Sequence, residues 1–89
     1  MVRVIKDCEQ GKEFIFKLPN GVIIGKAKNI DEFTAMVRNA PVESLVYHAN
    51  GKHFAPWLRT IGEGAVAARM SMVAVSKENA RDTLLKCLK

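Results

Sequence analysis

Residues 42–59 read VESLVYHANGKHFAPWLR, and the reading of this stretch decides the fold. It holds the chain's one Trp, its one Tyr and both histidines. Val42, Leu45, Val46 and Ala49 follow the i, i+3, i+4, i+7 template of a helix with one apolar face. A strand over SLVYHA competes with it, because Val and Tyr favour sheets. Four matched positions favour the helix. Pro41 can open that helix at its first position, and Asn50-Gly51 can end it through a left-handed cap. Phe54, Trp57, Leu58 and Ile61 repeat the template over a second short helix. Pro56 falls in its first turn, where proline costs little. Whatever forms must bury Phe54 and Trp57. The indole N–H then needs an acceptor, and the loop Asn50 to Lys52 is the nearest source.

Working towards the N-terminus, Asn29 can cap a helix. Glu32 stands three residues on, as in a capping box, with Asp31 and Glu32 suiting the helix dipole. Ile30, Phe33, Val37 and Ala40 make its apolar stripe. The helix must stop before Pro41. Upstream of it, Glu13 to Leu18 (EFIFKL) alternates as a strand with Phe14, Phe16 and Leu18 on one face. Pro19-Asn20-Gly21 suits a three-residue hairpin loop with Gly21 at positive φ. That loop sets Leu18 opposite Val22, Phe16 opposite Ile24 and Phe14 opposite Lys26. One face would then carry Phe14, Phe16, Leu18, Val22 and Ile24, and the other Ile15, Lys17, Ile23 and Gly25. An isolated hairpin is marginal, so it needs helices, a third short strand at Val2 to Ile5, or a partner's edge.

Towards the C-terminus, Ala65 to Val75 reads as a small-residue helix with Val66, Met70 and Val73 inward. Ser76 can cap a last helix from Lys77 to about Leu88, with Ala80, Leu84, Cys87 and Leu88 inward. The expectation is an α+β fold: an N-terminal β-hairpin packed against four or five short α-helices, as one compact domain over 1–89.

The chain has 89 residues, 48% of them hydrophobic and 26% charged. That is ordinary for a globular domain. A chain of this size buries about 60–65% of its unfolded surface, so no cofactor is expected. No apolar run approaches the roughly 20 residues of a membrane span. MVRVIKDCEQ has no apolar signal region, which points to the cytoplasm. Cys8 and Cys87 lack C-x-x-C spacing and are expected as free thiols.

The formal charge of +5 favours anionic partners. Lys12, Lys17, Lys26 and Lys28 surround the hairpin against Glu13 alone, which admits a phosphate-contacting ribbon and a basic nucleic-acid-binding domain. The plainer reading is that edge lysines discourage sheet-to-sheet aggregation. Tyr47, His48, His53 and Trp57 are the candidate binding residues, for a small molecule or, with Cys8, for a metal. Against this, the histidines are five apart on separate elements, and the aromatics at helical spacing read first as core. A Cys8 nucleophile with a His base lacks an orienting third group. Gly62-Glu63-Gly64 lacks the Lys-Ser/Thr of a phosphate loop. The Ala- and Met-rich run 65–74 and the hairpin edge are two routes to a homodimer or a protein partner. A non-catalytic interaction or ligand-binding module is the leading expectation.

The runs CEQGKEFIFKLPNG, NIDEF and YHANGKHFAPWL resemble a family of small archaeal and bacterial domains of unknown function. Its usual form is a Cys-Glu-Gly-Lys-like lead, a Phe strand, an Asp/Asn-Gly turn, a Leu/Glu-rich helix and a Tyr/His-His stretch. Asn-Asp-Phe-x-x-Trp-Ile/Leu follows. The resemblance spans Cys8 to Ile61. It rests on Cys8, Gly11, Phe14, Gly21, Glu32, Phe33, Tyr47, His48, Phe54, Trp57 and Leu58. His53 stands where the family has Asp. The resemblance implies one compact domain and supplies no activity.

Overall fold

A computed structural model describes residues 7–88. The expected third strand at Val2 to Ile5 lies outside the described residues. An antiparallel hairpin, β1 (Phe14–Lys17) and β2 (Ile23–Ala27), is followed by five helices. These are α1 (Ile30–Asn39), α2 (Val42–Asn50), α3 (Phe54–Thr60), α4 (Gly64–Ser71) and α5 (Ala80–Cys87). The class is α+β, and 42–50 is helix. The strand reading of SLVYHA loses because packing on one face outweighs the sheet preference of Val and Tyr. Pro41 sits at the N-cap, just ahead of the helix.

The loop end of the hairpin is as expected. Leu18 N–H donates to Val22 O at 2.9 Å, Gly21 N–H to Leu18 O at 2.8 Å, and Gly21 takes φ +91°. Further along, the expected register fails. Phe16 faces Gly25 rather than Ile24, and Phe14 faces Ala27 rather than Lys26. Between Phe16 and Lys17 the pairing advances one residue on β1 and two on β2, so Ile24 is a bulge residue. This turns Gly25 inward, against expectation. A Cβ there would lie 2.6 Å from the Met36 methyl of α1. Val22, expected inside, is instead 53% exposed and its neighbour Ile23 62%. Ile24 still packs against the core.

Small inner residues on β2 leave room for large ones opposite. Phe14 and Phe16 lie on Phe33 of α1 and Phe54 of α3, with ring centroids 4.9–6.0 Å apart. Phe16, Phe33, Leu45, Phe54, Leu58 and Leu84 are fully buried. Each contributes about 1.5–3 kcal/mol by leaving water.

The α1 cap follows the sequence signal with one displacement. Asn29 Oδ1 accepts from Glu32 N–H at 2.9 Å, while the Glu32 carboxylate takes the N–H of Lys28 rather than that of the cap residue. Gly51 is not the left-handed residue after α2; its φ is −79°, and Lys52 takes +60°. The small-residue helix stops at Ser71 instead of Val75. Asn50 draws the following segment away, since its side chain both donates to Val75 O (2.9 Å) and accepts from Val75 N–H (3.0 Å). The last helix starts at Ala80, not Lys77. Residues 77–79 form a turn closed by Ser76 O, which accepts from Asn79 and Ala80 N–H, and the N-cap position falls on Asn79 rather than Ser76. Arg81 fastens this helix to the end of α1, donating to Arg38 O and Ala40 O at 2.7 Å each.

Ser44 on α2 is fully buried, and its hydroxyl has no hydrogen-bond partner among the described residues. Ser44→Ala removes an unsatisfied polar atom and raises helix propensity. Urea unfolding should show a gain of about 1 kcal/mol at an unchanged m value.

Candidate functional site

Helix α2 lies along the unpaired edge of β1. In an antiparallel pair the N–H groups of one strand alternate between its two edges. Leu18 N–H bonds across the hairpin, so Lys17 N–H points away from β2. Its acceptor is His48 Nε2, at 2.9 Å. His48 is 4% exposed, and its Nδ1 lies 3.0 Å from Nδ1 of His53.

These contacts fix the tautomers by elimination. An amide can only donate, so His48 Nε2 carries a lone pair and its proton sits on Nδ1. His48 Nδ1–H therefore donates to His53 Nδ1, and the proton of neutral His53 sits on Nε2. The chain runs in one direction: Lys17 N–H to His48, His48 to His53, with an N–H left over. That last N–H lies beside Gly51, where a Cβ would come within 2.6 Å of His53 Nε2. Gly51 is thus needed for the space its missing side chain leaves. The Tyr47 ring closes the cluster edge-on, 5.0 Å from His48 and 5.2 Å from His53.

Burial lowers the His48 pKa from its usual 6.5 to about 4, with the charges of His53 and Lys17 adding to the effect. Geometry acts in the same direction, since a proton on Nε2 would oppose the Lys17 amide.

Three of the four candidate binding residues are brought together. Tyr47, His48 and His53 line a depression of about 260 Å³ with Phe14, Ile15 and Lys17. Trp57 is not among them. It lines a separate groove of about 480 Å³ with Asp7, Cys8, Glu9, Lys12, Pro56 and Thr60. Its ring stacks on Phe33 at 5.6 Å, and its indole N–H donates to Lys12 O at 2.8 Å, not to the 50–52 loop. Trp57 is therefore only half-buried, with one face in the core and part of the ring in the groove.

Cys8 lines this groove rather than the histidine depression. Burial, with the Glu13 charge next, pushes its thiol up, away from a nucleophilic thiolate. Both cysteines are free. Among the described residues no three of His, Cys, Asp and Glu gather as metal ligands. The tautomer of His48 also leaves it no free lone pair. Of the candidate ribbon, Lys17 and Lys26 lie on the outer face of the hairpin, Lys28 is exposed just past the end of β2, and Lys12 lines the Trp57 groove. The sequence reading missed Ile15 and Phe14 as walls of the depression and Gly51 as its spacer. The only signal for Gly51 was a Gly between two histidines.

No protein-family model, no curated protein and no solved structure matches the chain.

His48 has a lower pKa folded than unfolded, so between about pH 6.5 and 4 the unfolded chain binds a proton that the folded chain does not. Stability is full above that window and falls as pH drops through it. Urea unfolding at pH 4.5 should show about 2–3 kcal/mol less stability than at pH 7. His48→Leu should lose that slope. It should also cost about 1–3 kcal/mol at pH 7, because Lys17 N–H is orphaned.

Proposed function

We propose that the protein is a small non-catalytic interaction module that docks an acidic, apolar-anchored protein segment on the outer face of its hairpin. The observation that carries this reading is Ile23, 62% exposed on the face of the ribbon opposite the core, with Val22 beside it at the loop end, 53% exposed. Ile23 stands opposite Lys17, and Ile15 opposite Lys26. Aliphatic side chains beside ammonium groups suit a partner that brings apolar anchors and carboxylates. The reactive side chains support the same reading. Both ring nitrogens of His48 are engaged in hydrogen bonds, and the Cys8 thiol is held protonated.

Nucleic acid is the alternative occupant of a basic ribbon. Single strands are held by stacking on exposed ring faces. The outer face offers Ile and Val instead, and Tyr47 is the large aromatic exposed nearby, at 38%.

The test is a titration of isotope-labelled protein, read by amide shifts, with poly-L-glutamate and separately with a 20-nucleotide oligo-dT, each at two salt concentrations. The proposal expects poly-L-glutamate to shift residues 15–17 and 22–28, and Ile23→Ser to weaken binding without loss of fold. Stronger binding of oligo-dT over the same residues would overturn it in favour of nucleic acid. Silence with both probes would overturn it outright.

A further inference from the structure

The depression at the free edge of β1 has a one-sided chemistry. Its described lining is Lys17, Tyr47, His48 and His53, with Phe14 and Ile15. Among the described residues no carboxylate lines it. Lys17 and Tyr47 are exposed, and so is His53. Nothing acidic in the wall compensates the ammonium.

The direction of the hydrogen bonds sharpens this. The Lys17 amide fixes His48 as a donor through Nδ1, and His53 accepts at its own Nδ1. The polar groups left for an incoming molecule are then the ammonium of Lys17, the hydroxyl of Tyr47 and the Nε2–H of His53. All three can donate, and two of them can only donate while His53 is neutral. A ligand must therefore accept hydrogen bonds, and negative charge on it is favoured by Lys17. The apolar surface of Phe14 and Ile15 keeps the local dielectric low, which strengthens such bonds. An anion at the end of the chain would polarise every bond in it the same way.

The geometry points to a carboxylate-binding subsite in this depression, with Lys17, Tyr47 and the Nε2–H of His53 holding the anion. His48 is a positioning residue: both its ring nitrogens are already bonded, and it sets which nitrogen of His53 carries the proton. Gly51 is the second positioning residue, because a methyl there would occupy the His53 ring space. A volume of about 260 Å³ suits a single carboxyl group on a short side chain or a small free acid. The subsite stands independently of the outer-face docking reading, although Lys17 borders both.

The experiment titrates labelled protein with sodium acetate at pH 7 against sodium chloride of equal ionic strength, and with acetamide as the neutral analogue. The expected result is a saturable shift of the His53 ring and of the Lys17 and Tyr47 amides with acetate alone. Lys17→Met should weaken acetate binding about fivefold, and Gly51→Ala should weaken it while the rest of the amide spectrum stays native. Lys86→Met, an exposed lysine on α5, is the charge control and should change nothing. A blocked peptide with a single Glu separates the sources. Tighter binding than acetate identifies a partner's side chain, and equal binding identifies a small free acid. The inference is overturned if acetate shifts are linear and match those of chloride, or if acetamide acts as acetate does. It is equally overturned if Lys86→Met weakens binding as much as Lys17→Met. Poly-L-glutamate shifts over residues 15–17 and 22–28 with no acetate shift of the His53 ring would leave the docking face standing and remove the subsite.

Discussion

A two-stranded ribbon has as much edge as interior, and each inward edge amide needs an acceptor. On β1 the amide of Lys17 meets helix α2 and bonds to His48 Nε2. Leaving that N–H unpaired would cost about 1–3 kcal/mol. The bond does more than satisfy a donor. Because an amide cannot accept, it dictates the tautomer of a buried imidazole, and through that imidazole the tautomer of an exposed one. Burial keeps His48 neutral, and the Lys17 amide decides which of its two nitrogens then holds the proton.

A second constraint decides which residues face the outer side of the ribbon. Gly25 and Ala27 are the inner residues of β2, and their small size lets α1 close down with Met36 and Phe33 over Phe14 and Phe16. Without the bulge at Ile24, alternation would bury Val22 and turn Gly25 to solvent. The bulge reverses that. It leaves Ile23 outside, opposite Lys17, and it puts the residue without a side chain where α1 approaches most closely.

The fold was legible where local signals are strong and short in range. Asn29 and Glu32 at the start of α1, Pro41 at the break and the 42–49 stripe each rest on spacing within one element. The hairpin loop rested on Pro19-Asn20-Gly21 and formed as read. The register beyond it was not legible, because alternation alone cannot show a bulge; close approach of Met36 to Gly25 is a tertiary fact. The early end of α4 has the same cause, since Asn50 competes for Val75 from 25 residues away. In the site, Tyr47, His48 and His53 were legible as a cluster because they flank one helix end. Trp57 was misgrouped because its indole is claimed by Lys12 O, a contact 45 residues distant that no spacing encodes.

The same bonds separate binding from catalysis as uses for this cluster. A general base needs a lone pair within reach of substrate and a pKa near the working pH. His48 has its lone pair under an amide and a pKa of about 4. The Nδ1 lone pair of His53 is occupied by His48. What remains on the pair is the Nε2–H of His53, a group suited to holding an acceptor rather than to abstracting a proton. Lys17 ties this to the ribbon: its backbone is pinned by His48, so the root of its side chain is held where the depression meets the outer face. A charged group on a fixed root loses less freedom when a ligand arrives, and this favours Lys17 over Lys26 or Lys28 as the point where both proposed surfaces gain from negative charge.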